Sequence, residues 1–335
     1  MQPDKIRIIP VSPVSFFVEV LDEGTGKYLR HEFAREQYRS TLTYGEGKTR
    51  EVDGCDIWFS PRIWDEEGVV VLQGNTNFIH YLEEKGHTGH VGSGHGCVVQ
   101  ELSLFFADGR AFDPATLQEP IVCSRFRFLT RARHYLIDTA NTPSSVRATP
   151  TPDENGEPIV TSLWSFDGEW TVNNRIAMRN RLHIVRDGLR FTQCFCGMLC
   201  GFYPDMTDVV AESPRGIELW NRTSEERDYE TEDIGGTGTV LRRAGLTSVL
   251  GDTATLFGKR YVARQTMINN DPRRYGTANM SIWMPPNGDG RLKVYFQPCI
   301  TEHSACLLSE GRQVEVFSAG DTLDVTLYRS VDFAK

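Results

Sequence analysis

The sequence has no long hydrophobic run, no excess of basic residues and no CxxC cysteine pair. None of its apolar stretches approaches the roughly 20 residues that a membrane-spanning helix needs. The formal net charge is −9 at pH 7, whereas nucleic-acid-binding proteins present a basic face that neutralises phosphates. We therefore expect neither a nucleic-acid partner nor a membrane partner.

The first twenty residues, MQPDKIRIIPVSPVSFFVEV, also lack the basic, then apolar, then small-residue pattern of a secretory signal peptide. We expect a soluble protein that is cytoplasmic or associated with a phage particle. The composition, 39% hydrophobic and 24% charged, is that of an ordinary globular protein. The sequence leaves the oligomeric state open.

Eight cysteines are present, and only the segment CFCGMLC is dense in them. On a strand, Cys194, Cys196, Met198 and Cys200 fall on one face. Cysteine packs as a small hydrophobic residue, so we predict a reduced, buried row rather than a thiolate metal site. We expect no metal ion and no cofactor.

Amphipathic helices are also scarce, and short alternating or continuous apolar runs dominate the chain. Runs such as SFFVEV, RFRFL, LRFTQCF and LDVTLY are strand patterns, and turn sequences such as ADGR at 107–110 separate them. The segment GKYLRHEFAREQYRS, at 26–40, is the best candidate for a short helix. The pattern predicts an all-β chain with little helix, folded as a large antiparallel, jelly-roll-like β-sandwich.

A proline-rich stretch at 139–160, TANTPSSVRATPTPDENGEPIV, interrupts the strand pattern. It predicts a long exposed loop or linker between a first β half, 1–138, and a second β half, 161–335. We favour one continuous two-sheet assembly, with two β subdomains as the alternative.

Charged residues alternate with apolar ones along several predicted strands. In RNRLHIV, Arg179, Arg181 and His183 share one face, and Leu182 and Ile184 share the other. Other strands repeat this arrangement with Arg125 and Arg127, with Arg260 and Arg264, and with Lys293, Tyr295 and Gln297. A solvated outer face is the simpler interpretation, because long Lys and Arg side chains cover apolar surface while their charge stays hydrated. The alternative is a face that binds an anionic ligand.

Arg, His, Tyr, Gln and Lys together can bind an acidic sugar and move protons along it. β-Sandwich polysaccharide lyases use such a face to remove the proton next to a uronate carboxylate, and they must neutralise that carboxylate. We therefore predict a polysaccharide lyase that cleaves acidic glycans by β-elimination. His183 or His80 would be the base and Tyr295 the acid. The expected substrate-binding residues are Arg179, Arg181, Arg264, Lys293, Gln297, Asn77, His90 and His95.

The segment GHTGHVGSGHGC, at 86–97, combines three histidines with five glycines. The glycines argue against a helical zinc-binding pair, and the segment lacks the lysine of a phosphate-binding loop. We predict a mobile loop at the functional edge of a sheet, with His90 and His95 facing the sugar. The alternatives are an inert connection and a zinc site in the loop, with Cys97 or Asp56 as a further ligand.

Two other function classes stay open. One is a non-catalytic glycan-binding or attachment module, such as a viral tail protein or a surface adhesin, with tryptophans stacked on sugar rings. The other is a glycoside hydrolase, with carboxylates such as Asp167 and Glu169, or a sugar epimerase that uses His with Glu. In every case the expected partner is an oligosaccharide or polysaccharide.

Overall fold

The computed structural model describes the backbone of residues 6–22, 26–68, 70–73, 79–84, 87–92, 96–138, 147–171 and 175–201, and of separate segments between 206 and 332. Side-chain burial is described for residues 6–21, 26–68, 91–92, 96–138, 147–170, 177–190 and 316–324. The described residues form strands and no helix. Accordingly, these ranges contain no helix that is long and apolar enough to cross a membrane.

The strands, in chain order, are β1 (Ile6–Ser12), β2 (Ser15–Asp22), β3 (Lys27–Tyr44), β4 (Lys48–Trp64), β5 (Val70–Gln73), β6 (Ile79–Glu84), β7 (His87–Val91), β8 (Val98–Ala107), β9 (Arg110–Phe112), β10 (Ile121–Cys123), β11 (Arg125–Tyr135), β12 (Val160–Thr171), β13 (Arg175–Ile184), β14 (Leu189–Gly201), β15 (Met206–Ser213), β16 (Gly216–Asn221), β17 (Tyr229–Asp233), β18 (Thr239–Arg243), β19 (Ala254–Leu256), β20 (Lys259–Tyr261), β21 (Ala263–Asn269), β22 (Thr277–Trp283), β23 (Tyr295–Pro298), β24 (His303–Leu307), β25 (Glu315–Phe317) and β26 (Thr322–Asp332).

Two layers of strands form the larger part of the described fold, and β14 pairs in addition with β5, β6, β24 and β25. The first layer is β10–β1–β2–β3–β4. The second is β9–β8–β11–β12–β13–β26, and it continues through β22, β21 and β15 to β16. Every described pairing between two named strands is antiparallel except that of β4 with β8, where Cys55 lies opposite Val98. The predicted all-β, antiparallel sandwich is therefore confirmed.

Aromatic side chains fill the space between the two layers. Phe33 of β3 contacts Phe126 of β11 and Trp170 of β12, with ring centroids 5.5 and 5.4 Å apart. Phe16 of β2 packs edge-on against Phe105 of β8 at 5.2 Å. None of these rings is more than 3% exposed, and burial of one such side chain contributes about 1.5–3 kcal/mol. Contacts between rings of different strands thus hold the layers together.

The short helix predicted at 26–40 is wrong, because this segment belongs to strand β3. Leu29, His31 and Phe33 are all buried and lie two residues apart, which is the period of a strand rather than of a helix. Strand β2 pairs with one edge of β3, and strand β4 pairs with the other. These cross-strand partners, which the local sequence does not show, outweigh the helical spacing of Tyr28, Leu29 and Phe33.

Part of the proline-rich stretch packs against the long β3–β4 hairpin. Residues 147–160 include a bridge between Ile137 and Pro150. The Arg147 guanidinium lies 5.2 Å from the ring centroid of Tyr38, and Arg50 contacts Glu157. Beyond this segment β12 pairs along β11, so strands from before and after the proline-rich stretch share one sheet.

The glycine- and histidine-rich segment is not wholly the loop that the sequence predicts. Residues His87–Val91 form β7, which pairs antiparallel with β6, and Gly92 bridges to Gly96. Glycine weakens a strand, but pairing with β6 supplies the backbone hydrogen bonds that hold β7 extended. The cysteine-rich segment lies in β14 as predicted, although its register with β24 shifts between Phe195 and Gly197.

Candidate functional site

The outer face of the second layer carries charged residues from four neighbouring strands. Burial alternates along these strands, because every second residue points into the aromatic core. The residues between the core positions form the outer face, and its polar members include Arg125, Arg127, Arg131 and Arg133 on β11, Asp167 and Glu169 on β12, Arg179, Arg181 and His183 on β13, and Thr322 and Asp324 on β26. The arginine-bearing strands β11 and β13 therefore present their arginines on one surface.

Two arginines of β11 are each paired with a carboxylate of β12. Arg127 makes two hydrogen bonds to Asp167, Nε to Oδ1 at 3.0 Å and Nη2 to Oδ2 at 2.6 Å. Arg125 donates from Nη2 to Oε2 of Glu169 at 2.6 Å. The hydrogen bond to its carboxylate raises the pKa of each guanidinium. Both pairs are charge-neutral, and they fix the directions of the remaining N–H donors.

On β13, two arginines share a single carboxylate. Arg179 donates to Asp324 from Nε at 2.9 Å and Nη2 at 2.6 Å, and Arg181 donates to it at 3.1 and 2.8 Å. Burial alone would raise the pKa of Asp324, but the hydrogen bonds from both arginines outweigh it and hold the pKa below its ordinary value. This cluster carries a net charge of +1.

His183 lies on the same face, at its other end. Its side chain is exposed, and Nδ1 is 3.1 Å from the Thr322 hydroxyl oxygen. The cross-strand row that contains His183 runs through Leu163 to Arg133. Arg133 is six residues along β11 from Arg127, which places His183 about 20 Å from Arg127.

A hollow of about 470 Å³ opens at the β8–β9 end of this face. It is lined by Phe106, Asp108, Gly109, Arg125 and Arg127. Asp108 and Gly109 have φ of 47° and 81°, the left-handed pair that a two-residue hairpin turn requires. Asp108 Oδ1 accepts hydrogen bonds from the backbone N–H groups of Ser124 and Arg125, both at 3.0 Å. These bonds hold the turn against the start of β11.

One half-buried aromatic ring is part of this hollow. Phe106 lies directly opposite Arg127 in the β8–β11 register, and therefore on the outer face. The hollow thus combines an apolar ring with two arginines, each of which is paired with a carboxylate of β12.

The structure brings together some of the predicted site residues. Arg179, Arg181 and His183 lie side by side on β13. Arg264 of β21 belongs to the same sheet: it pairs with Ser281 of β22, which pairs with Tyr328 of β26 and so with Ala177 of β13. Three strand spacings, about 14 Å, separate its row position from β13.

The other predicted residues lie elsewhere or outside the described residues. His80 of β6 pairs with Val91 and Cys194, and His90 of β7 pairs with Tyr81. Tyr295 and Gln297 lie on β23, which pairs with β24 rather than with β13. Asn77, His95 and Lys293 lie outside the described residues. No described pairing places β23 beside Arg181.

Sequence reasoning missed the residues that complete the site. The ADGR turn was visible in the sequence, but nothing indicated that Phe106 and Arg125 would meet beside it. Asp324 was also missed, because it follows Arg179 by 145 residues. In the sequence, the only indication for Asp324 is that it lies on the polar face of the strand LDVTLY.

Metal-binding and thiol chemistry find little support among the described side chains. They include no group of three or more His, Cys, Asp and Glu residues that could hold a metal ion. Cys55, Cys97 and Cys123 are free and buried. Burial raises the pKa of all three thiols, that of Cys123 to about 11.

No family model and no curated protein matches the chain. Among solved structures, it is similar to the Slr1438 protein from Synechocystis sp. PCC 6803, with 10% identity, a TM-score of 0.38, and coverage of 97% of this chain and 98% of that chain. A candidate aldose 1-epimerase from Escherichia coli K12 is similar at 10% identity and TM-score 0.32, covering 89% and 100%. One from Klebsiella pneumoniae subsp. pneumoniae MGH 78578 is similar at 8% identity and TM-score 0.27, covering 95% and 91%. None of these three is described as a polysaccharide lyase.

Proposed function

We propose that this protein binds carbohydrate on the outer face of the second layer, with one sugar residue in the hollow beside Phe106. The observation that carries the proposal is the meeting of an aromatic ring with two arginines in one cavity. Its volume, about 470 Å³, lies within the range of small-ligand sites.

The chemistry of these groups suits a sugar ring. The apolar face of a pyranose packs on an aromatic side chain such as Phe106. Sugar hydroxyls accept hydrogen bonds from guanidinium N–H groups and donate to carboxylate oxygens. Arg127 has five N–H donors, and two of them donate hydrogen bonds to Asp167. Three donors therefore remain for hydrogen bonds to a sugar.

Binding fits this geometry better than β-elimination does. A lyase needs a base within reach of the bound sugar, yet the predicted base His183 is about 20 Å from the hollow. The predicted substrate-binding residues Arg179 and Arg181 both contact Asp324 already. We therefore propose sugar binding. Analysis of the bound sugar after incubation would show whether it is eliminated, hydrolysed, epimerised or left unchanged.

The test begins with the whole chain on an array of neutral and acidic glycans, followed by calorimetric titration of the sugars that bind. Phe106→Ala should weaken binding about ten-fold, equivalent to about 1.4 kcal/mol. Leu163→Ala is the matched control, because Leu163 is exposed on the same face and lies away from the hollow.

Two results would reject the proposal. One is the absence of binding across the array, and the other is an equal loss of affinity in Phe106→Ala and Leu163→Ala. Incubating each bound sugar with the protein then separates a binding module from an enzyme. Exchange of sugar configuration in NMR spectra would indicate an epimerase, and unsaturated uronate products would indicate a lyase.

A further inference from the structure

The outer face of the first layer contains a buried carboxylate between two arginines. In the register of β1, β2 and β3, Glu19 lies opposite both Arg7 and Arg30. Its Oε2 is 2.6 Å from Arg7 Nη2, and its Oε1 accepts a hydrogen bond from Arg30 Nε at 2.7 Å. Glu19 is only 1% exposed, whereas the arginine side chains are 34% and 33% exposed. The carboxylate is thus covered, and the two guanidiniums reach the solvent.

The charges of this triad do not cancel. One guanidinium is enough to neutralise a buried carboxylate. Here two guanidiniums contact the single carboxylate of Glu19. Glu19 spans and orients both, so little side-chain entropy remains to be lost when a ligand binds them. The triad presents a net charge of +1 with its donors already positioned. The hollow of the second layer differs, because each arginine there has its own carboxylate.

Aromatic rings lie on both sides of the triad. The Arg7 guanidinium carbon is 4.1 Å from the centroid of the Tyr28 ring. On the other side, Trp64 lies opposite Arg30 in the β3–β4 register. The indole Nε1 of Trp64 donates a hydrogen bond to Glu32 Oε2 at 2.9 Å, and this bond fixes the orientation of the ring. Both rings are half-buried, so each keeps some surface for a ligand.

Two further cations and three further carboxylates lie near the triad. Glu32 is the carboxylate on the Trp64 side, and the Arg62 guanidinium carbon lies 5.9 Å from the Trp64 ring centroid. On the Tyr28 side, Glu66 accepts a weak hydrogen bond from the Tyr28 backbone at 3.4 Å, and Lys27 pairs with Glu67 at 3.7 Å. These groups together carry one more negative than positive charge, so the positive charge is confined to Arg7 and Arg30 and does not extend over the surrounding surface.

We propose that Arg7, Arg30, Tyr28 and Trp64 form a second ligand site, which binds an oxyanion carried on a sugar ring. The two guanidiniums would bind the carboxylate or sulfate oxygens, and the sugar ring would pack against Tyr28 or Trp64. A single excess charge suits one oxyanion rather than a polyanion such as nucleic acid. The site stands independently of the hollow, since it lies on the opposite layer and uses different residues.

The experiment titrates the whole chain with four probes: a uronate disaccharide, a sulfated disaccharide, the corresponding neutral disaccharide, and inorganic sulfate. We expect one or both acidic disaccharides to bind at this site, more tightly than the neutral sugar and than sulfate alone. The preferred acidic sugar then identifies the carboxylate or the sulfate as the natural group. Equal affinity for acidic and neutral sugars, or for sulfate alone, would overturn the proposal.

Variants assign the binding to this face. Arg7→Gln leaves Glu19 and Arg30 as a neutral pair, and it should weaken acidic-sugar binding about ten-fold or more. Arg125→Gln is the matched control in the hollow and should leave this affinity unchanged. If Arg7→Gln lowers the melting temperature, Tyr28→Leu is the second variant, because it removes the aromatic ring and keeps the ion pairs of Glu19. The proposal is wrong if Arg125→Gln weakens acidic-sugar binding as much as Arg7→Gln does. Failure of the hollow would show instead as Phe106→Ala having no effect.

Discussion

The hydroxyl oxygen of Tyr38 lies 1.7 Å from the position that a Cβ on Gly96 would occupy. Gly96 also has a φ of 103°, in the region that favours glycine. The strand β3 and the end of the glycine-rich segment therefore meet at a point where any larger side chain would collide.

Gly96→Ala should consequently destabilise the protein more than a glycine substitution in open space. Gly47→Ala is the matched control, because Gly47 has a φ of 81° and a Cβ added there would have no neighbouring atom within 4 Å. We expect the difference in unfolding free energy to be about 1–3 kcal/mol, the usual cost of overpacking. Denaturant unfolding measures it. Adding Tyr38→Phe to Gly96→Ala should recover part of the loss, and equal losses at Gly96 and Gly47 would contradict the steric explanation.

Two polar residues of β13 should respond differently to truncation. Asn180 is fully buried, and its Oδ1 accepts a hydrogen bond from Trp164 Nε1 at 3.1 Å. Asn180→Ala should cost about 1–3 kcal/mol, because the indole N–H loses this acceptor. His183→Ala, on the exposed face, should change the unfolding free energy by about 0.5 kcal/mol or less. Thermal or denaturant unfolding of both variants checks this, and a large loss in His183→Ala would place that side chain in a structural role.

Acid should destabilise the fold through His134. Burial lowers the pKa of His134 to about 3, whereas an unfolded histidine titrates near pH 6.5. Between these values the unfolded chain binds one proton more than the folded chain, so stability falls as the pH falls. The slope from this residue is about 1.4 kcal/mol per pH unit. His134→Gln should flatten unfolding free energy plotted against pH between 6 and 4, whereas His183→Gln should not. Parallel curves for both variants would refute the assignment.

Buried thiols should resist alkylation in the folded protein. The raised pKa of Cys55, Cys97 and Cys123 leaves very little thiolate near neutral pH. Mass spectrometry after iodoacetamide treatment should find these three residues unlabelled in the native state and labelled after denaturation. Thiol counting on the denatured protein should give eight free thiols, the number of cysteines in the sequence. Rapid native labelling of Cys97 would show that its surroundings open readily.

Much of the architecture could be predicted from local alternation. The β11 sequence RFRFLTRARHY alternates exposed and buried positions along most of its length, and its faces follow from that alternation. Strand β3 could not be predicted in this way, because its helical spacing competes with pairings to β2 and β4 that only the folded chain supplies. Periodicity is a local property, whereas strand pairing is not.

The site was harder to predict, because its contacts join distant parts of the chain. Arg127 and Asp167 are 40 residues apart, and the sequence contains no measure of their register. Glu19 shows the same limit. Alternation along SFFVEV places it on the outer side of β2, yet flanking arginines from β1 and β3 cover it almost completely.

Strand β26 pairs with β13 on one side and with β22 on the other, so the second layer is continuous only when it is in place. Asp324 is made 145 residues after Arg179, which at ordinary rates of synthesis is a delay of roughly 7 to 30 seconds. During that interval the edge of β13 has unpaired backbone N–H and C=O groups, which are a template for pairing with another chain. Arg179 and Arg181 stand along this edge without their carboxylate and repel an identical edge. Until β26 is in place, this repulsion would therefore oppose self-association of the nascent chain.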